Sequence, residues 1–545
     1  MLIILYLPEI LNIRIKLCFY LKYYKDKIMA IYYIAANGND TSDGSITAPW
    51  KTIAKVNSFL FQPGDTILFR CGDIWTGTQL RIARSGTLGN PITFGNYDLG
   101  EIPIIDGTGI AWGAYEQGII NLDDVSYITV SGLSAKNSGK HGIMMYGSSN
   151  IIIKNCYTYG TAVSGISTWG CSHILIDGCE VEYANVTGSE ENISIASTSW
   201  DVEIRYTEVH HGGPGTGGEG LNIKDGSHDV NIHHCVVHDE PKFGYGVDAW
   251  TRGCYNIKFY DNIAYNCGYY GYILESEQGG IGTNLWVYNN IAYNCTKGGY
   301  CIPNWGISGP VSNCYFINNV AYNCQGPAFQ TMHSNMTNVV VRNNIFSNNR
   351  NPQINLNSSS VPNVVIDHNL FFGGTSAPLG TSYVIGDPKF VNAVGHDFHL
   401  LTDSAAIAAG DILNAPIDDF DGVIRGELID IGPYEFEEGE NNMATSVNMS
   451  GISSGNLPTD PVTLTVSADK PALFSSIVVN YVSPQPTGTI VLTPAGTAGI
   501  AIITVTVKND KPTNNTTVRS FKVTLQSVNT NPPTIDAIAD IVITI

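Results

Sequence analysis

The chain has 545 residues, enough for more than one domain and a large core. Charged residues make up only 14%, beside 57 glycines and 29 tyrosines, a composition of turn-rich β structure rather than of helices. The formal net charge of −20 argues against a nucleic-acid partner, and no run of about 18 uncharged apolar residues offers a membrane-spanning helix.

Residues 1–28 are rich in Ile, Leu, Tyr and Lys. Their charges follow the apolar stretch, Pro8-Glu9 interrupts it and no small-residue cleavage site ends it, so they do not read as a signal peptide. Met29 directly precedes a strand-like pattern, AIYYIAANGND, and 1–28 read as upstream sequence translated in error, without an export signal.

Further on, the chain repeats itself. NIAYNC stands at 262–267 and again at 290–295, and NVAYNC at 319–324. Aligned on the first asparagine, the repeat continues through Asn262, Asn290, Asn319, Asn344 and Asn369, and backwards through Cys235, Thr207, Cys179, Cys156 and Leu133. Five residues before each lies an apolar column that includes Ile151, Ile174, Val202, Val230 and Ile257; three before lies a second, including Ile153, Ile176, Ile204, Ile232 and Phe259. The residue between is usually polar. That is a strand with one wet face, repeated in register. A unit this short cannot bury its apolar face alone, but stacking like on like makes a continuous core. A leucine-rich repeat would show a helical half and a propeller a longer period. The spacing therefore predicts an all-β chain whose main body, 29–436 with its caps, is a right-handed parallel β-helix.

These rungs, together with YYIAANGNDTSDGSITAPWKTI at 32–53 and DFDGVIRGELIDIGPYEF at 419–436, resemble the pectate-lyase-like β-helix superfamily. The resemblance implies the architecture more than the reaction, because this fold carries lyases, hydrolases, epimerases and inert adhesins. It also implies that the asparagine column is a ladder of side-chain amides at a tight turn where Asn tolerates positive φ. Most cysteines fall in columns, Cys156, Cys179 and Cys235 in one and Cys267, Cys295 and Cys324 in another, with no C-x-x-C pair. Parallel Cβ vectors suit a disulfide torsion badly, so they read as free buried thiols.

Function belongs to outward positions. Counting one strand of each rung from its glycine (GLNIKD 220–225, GVDAWTR 246–252, GYILESE 271–277) turns Asn222 and Lys224, Asp248 and Trp250, and Ile273 and Glu275 outward. Charge falls on these successive rungs, and longer loops at 184–192, 211–219, 276–284 and 303–313 wall the face into a groove for an extended ligand. Trp250, Trp305, Tyr269 and Tyr270 offer sugar-stacking surfaces; Asn222, Asp225, Arg252, Glu277, Asn304 and His333 offer polar contacts.

Asp248 and Glu275 are the predicted catalytic pair, on adjacent rungs and offset by two residues. That offset sets their Cα atoms about 8 Å apart and their carboxyl groups about 5–9 Å apart, a range covering retaining and inverting hydrolysis. The prediction is a glycoside hydrolase with no cofactor. A polysaccharide lyase is the alternative, with Lys224 abstracting the proton alpha to a uronate carboxyl and calcium held by Asp225 and Asp248. A non-catalytic glycan-binding adhesin or phage tail spike, trimeric in the latter case, is a third reading. The histidines at 210–211, 228, 233–234 and 238 match no metal motif.

After residue 436 the character changes. Residues 437–457 read as a polar linker, 458–530 alternate Thr and Val in short strands as an Ig-like β-sandwich, and 531–545 open a further module. Such a tail predicts a longer multidomain product working outside the cell or at its surface, or on a virion tail.

Overall fold

A computed structural model of the chain describes residues 29–436 except 114–116, 188–189, 214–217, 358, 360 and 377. In the tail it describes 445–453, 461–494, 499–509, 516–525, 534–535 and 541–544. The expected leader and most of the expected linker and final module lie outside the described residues. Two compact units emerge, one running to Tyr383 and including Leu413–Phe420, the other comprising Val384–Ile412 and the chain from Asp421 onward. No helix among the described residues is long and apolar enough to cross a membrane.

The first unit is a coil of parallel strands. Most turns give one strand to each of three sheets, the first with thirteen strands from Ile31–Ile34 to Val364–Asp367, the second with eleven from Leu80–Ile82 to Ile354–Leu356. A third runs beside them from Ile74–Thr76 through Leu370–Phe372. The predicted column pairs residue for residue: Ile151 with Ile174, then Val202, Val230 and Ile257. Each of these five is at most 3% exposed. Burying such a side chain stabilises by about 1.5–3 kcal/mol, which is why stacking holds a coil that no single turn could.

Asparagines close the turns. Asn290 Oδ1 accepts the backbone N–H and the side-chain amide of Asn262, both at 3.0 Å, while its own Nδ2 donates to the Phe259 carbonyl at 2.8 Å. Asn319, Asn344 and Asn369 repeat the pattern. One detail differs from the expectation. The ladder asparagines are not the residues with positive φ; the residue before each is, at Asp261, Asn289, Asn318, Asn343 and His368. The left-handed residue makes the bend, and the ladder side chain, turned inward behind it, satisfies the backbone groups the bend leaves open.

The eleven described cysteines are free, and all but Cys71 are buried. Inside the coil Tyr245, Tyr272 and Tyr300 stack at centroid spacings of 4.8 and 5.1 Å. Their hydroxyls donate to turn carbonyls, Tyr272 to Asn262 and Tyr300 to Asn290, both at 3.0 Å, so large polar rings fit a dry core. In the tail, two four-stranded sheets turn their apolar faces into a shared core that includes Val447, Leu492, Val505 and Val523.

Candidate active site

The strand Tyr245–Asp248 lies in the second sheet between Glu219–Lys224 and Tyr270–Glu275. Its register corrects the expected offset. Tyr245 pairs with Tyr272, and Asp248 stands directly opposite Lys224 on one side and Glu275 on the other. Counting from Gly246 fails because the core position is the aromatic before it. A slip of two residues keeps every side chain on its face, so the alternation gave no warning. Gly246 occupies an outward slot over which Phe243 folds: a Cβ there would meet Phe243 Cε2 at 2.6 Å and Asn222 Oδ1 at 3.0 Å.

The outward residues are not the open groove that was expected. Asp248 is 3% exposed, Glu275 4% and Asn222 0%. Phe243, Tyr270, Ile273 and Cys301 form an apolar patch outside the sheet with Trp305 packed against it, so Tyr270 and Trp305 act in packing. Trp250 and Tyr269 stay exposed, as does Asn304, whose Oδ1 accepts the Ser308 hydroxyl; Glu277 is half-buried. His333, expected to touch ligand, is fully buried instead. The chain turns at Thr331, whose Oγ1 accepts the His333 N–H, and the ring's Nδ1 accepts the N–H of Asn335.

Two acids that sequence reasoning did not pick out complete the site. Glu191 and Glu219 begin paired strands of this sheet. Strict alternation puts them on the inner side, but at the corner they reach the outer residues. Lys224 Nζ donates to Glu191 Oε1 at 2.6 Å, Lys242 Nζ to Glu219 Oε1 at 3.1 Å, and Asn222 Nδ2 to Glu219 Oε2 at 3.1 Å. Glu240, fully enclosed nearby in sequence to the strand, accepts from Asn192 at 2.7 Å, and burial lifts its carboxyl well above the usual range.

The electrostatics divide the groups. Burial lifts the Asp248 carboxyl, Lys224 pulls it down, and Glu277, Glu219 and Glu191 push it further, to about 7. Glu275 is raised well above its ordinary value by burial and then by Asp248, Glu219 and Glu277. Burial works against the Lys224 ammonium, but Glu191, Glu219 and Asp248 outweigh it and lift its pKa. Lys224 therefore holds its proton, and burial with mutual repulsion raises both Asp248 and Glu275 above the ordinary carboxylate range, so the pair resists carrying two charges at once. Asp248 Oδ1 and Glu275 Oε2 are buried without a hydrogen-bond partner among the described residues, the kind of buried polar atom found at functional sites.

Asp225 has a different task. Its Oδ1 accepts from the Thr251 N–H and hydroxyl and the Arg252 N–H, and its Oδ2 from the Arg252 guanidinium. Those bonds overcome burial and hold its pKa at about 2. The pair Asp225 and Asp248 therefore fits a calcium ion poorly, because the Asp225 oxygens are already engaged and the Lys224 cation stands beside Asp248 in the register.

Comparison with known proteins adds the family. The chain is 33% identical over 136 residues to the uncharacterized protein YwoF of Bacillus subtilis (strain 168), covering 24% of this chain and 28% of that one. It is 35% identical over 130 residues to a lacto-N-biosidase of Bifidobacterium longum subsp. longum, covering 19% of this chain and 8% of that one. The chain thus spans under a third of the length of the curated relatives it matches. Among solved structures, pectate lyase Pel9A superposes with a TM-score of 0.46 at 17% identity, covering 75% of this chain and 96% of that one. A GH136 lacto-N-biosidase from Eubacterium ramulus gives a TM-score of 0.47 at 14% identity, over 65% and 68% of the two chains. The sequence pattern described as the Pel9A-like, right handed beta helix region matches residues 32–373, more than half of the chain, and the chain belongs to that family.

Proposed function

We propose that this chain is a carbohydrate-active enzyme that hydrolyses glycosidic bonds in an extended glycan, with Glu275 as general acid and Asp248 as nucleophile. One observation carries the reading: Asp248 and Glu275 are direct register partners in a buried acidic site, and Lys224 stands on the far side of Asp248. Neighbours in a parallel sheet stand about 4.7–4.9 Å apart, which favours the carboxyl spacing of about 5–5.5 Å used in double displacement over the wider inverting one. In that reaction Glu275 gives its proton to the glycosidic oxygen as the Asp248 carboxylate attacks the anomeric carbon. The leaving sugar departs as an alcohol, and water, deprotonated by the Glu275 carboxylate, then releases the second sugar from Asp248. No cofactor enters these steps. Trp250, exposed two residues beyond Asp248, suits a sugar-stacking role.

Elimination with Lys224 as base requires a neutral amine, and the raised Lys224 pKa opposes it. A polymeric substrate fits work outside the cell or at its surface. The test is the chemistry of the ends formed by purified protein on a broad glycan panel. New reducing ends without an unsaturated, ultraviolet-absorbing product support hydrolysis. The chromophore would replace it with elimination, and binding without cleavage would make the chain an adhesin or spike.

A further inference from the structure

A second cluster of chemistry-bearing side chains lies on the third sheet, apart from the acids just described. Glu182 ends the strand Glu180–Glu182, and its register partner on the next turn is His210, the last residue of Glu208–His210. His211 follows with a left-handed φ of 54°, which turns the chain at the corner. One ligand-type atom from each of Glu182, His210 and His211 lies within 4.8 Å of the other two, and the two Nδ1 atoms are 2.6 Å apart. We propose that Glu182, His210 and His211 form a binding site for a zinc-like first-row transition-metal ion.

Three features support it. First, the donor set is two imidazole nitrogens and a carboxylate, which suits zinc, copper or nickel and not calcium or magnesium. Ligands about 2.0–2.1 Å from one ion stand about 3.3 Å apart in tetrahedral geometry, so binding parts the two rings by under 1 Å and draws the carboxylate in. His211 is exposed, with its ring edge-on to those of His210 and His238. Second, the ligands are already oriented from behind. His210 Nε2 lies 3.3 Å from Glu180 Oε1, the carboxylate–imidazole pairing that fixes a metal-binding ring. Tyr157 Oη donates to Glu182 Oε2, leaving the other oxygen for an ion. The His210 ring is also held flat against His238, at 4.9 Å and an interplanar angle of 5°.

Third, the molecule carries its own control. His233 and His234 repeat the adjacent-histidine geometry, Nδ1 to Nδ1 at 2.9 Å, with Glu203 Oε1 at 3.4 Å behind His233 Nε2. There the register partner on the preceding turn is Arg205, whose cation repels a metal, where Glu182 stands for His210. Two histidines in sequence are common to both places, and among the described residues three ligand-type atoms come within 4.8 Å of one another at His210–His211.

The test is titration of zinc chloride into untagged, chelator-treated full-length protein, followed by calorimetry and, with cobalt, by the visible ligand-field bands. The expected result is one saturable site per chain that excess calcium does not displace. His211→Ala and Glu182→Gln should abolish it, and Glu180→Gln should weaken it by about 10–100-fold. His234→Ala should bind as the parent does, and circular dichroism should match for all variants. Absence of saturable binding, unchanged binding in His211→Ala or Glu182→Gln, or an equal loss in His234→Ala would each overturn the assignment.

Discussion

Asp248→Asn separates what the acid site costs the fold from what it does. Burial, opposed by Lys224 and reinforced by three neighbouring acids, raises this carboxyl from 3.8 to about 7 on folding. Below pH 3.8 both the folded and unfolded chains hold the proton, and the group costs nothing. Between pH 3.8 and 7 the unfolded chain gives the proton up while the folded chain keeps it, so stability falls as pH rises and levels off above the folded value. Between 3.8 and about 7, at about 1.4 kcal/mol for each step of one in pH, the loss amounts to about 4 kcal/mol. The Asn side chain stands in for the neutral acid and carries no such loss. Asp248→Asn should therefore match the parent near pH 4 and exceed it by about 4 kcal/mol at pH 8. Spread over a unit of roughly 360 residues at about 2.1 cal/mol/K each, that is a rise of roughly 5 °C in Tm. Calorimetric melting at half-unit steps from pH 4 to 8 measures it, and turnover on the cleaved glycan should meanwhile drop by about 10²–10⁴. A variant less stable than the parent at pH 8, or a gap that does not widen with pH, would refute the reasoning.

Glu275→Gln should fold and keep glycan affinity in equilibrium binding while losing about 10²–10⁴ in turnover; near-normal rates would remove Glu275 from the chemistry. Lys224→Met leaves Glu191, itself 1% exposed, without its cation, and chemical denaturation should show a loss of about 3 kcal/mol that Glu191→Leu in the same chain largely restores. Asn319→Ala takes the acceptor from the Asn290 N–H and the donor from the Val287 carbonyl, all fully buried, at about 1–3 kcal/mol for each stranded group; an unchanged melting temperature would argue against the ladder as a structural device. Gly246→Ala drives a methyl into the Phe243 ring and should destabilise by about 1–3 kcal/mol, with Phe243→Leu recovering part of it in a double-mutant cycle.

The architecture was legible because it is a one-dimensional property. Apolar residues alternating with polar ones, recurring every 23–29 positions, leave stacking as the one way to bury them, and the column Ile151 to Ile257 pairs as read. Outward alternation likewise brought Asp248, Glu275 and Lys224 to one face of one sheet. The finer geometry was not in the pattern. A slip of two residues leaves the faces unchanged, so only the packing of Tyr245 on Tyr272 decides that Asp248 meets Glu275 directly. Corners escape the alternation rule, which is how Glu191 and Glu219 reach the site unannounced. Burial of the acids depends on what folds over the sheet, such as Phe243 above Gly246, and a strand's own sequence says nothing of that. The meeting of Glu182 with His210 and His211 depends on turn length: 28 residues separate the first two along the chain, and one strand spacing separates them in the coil.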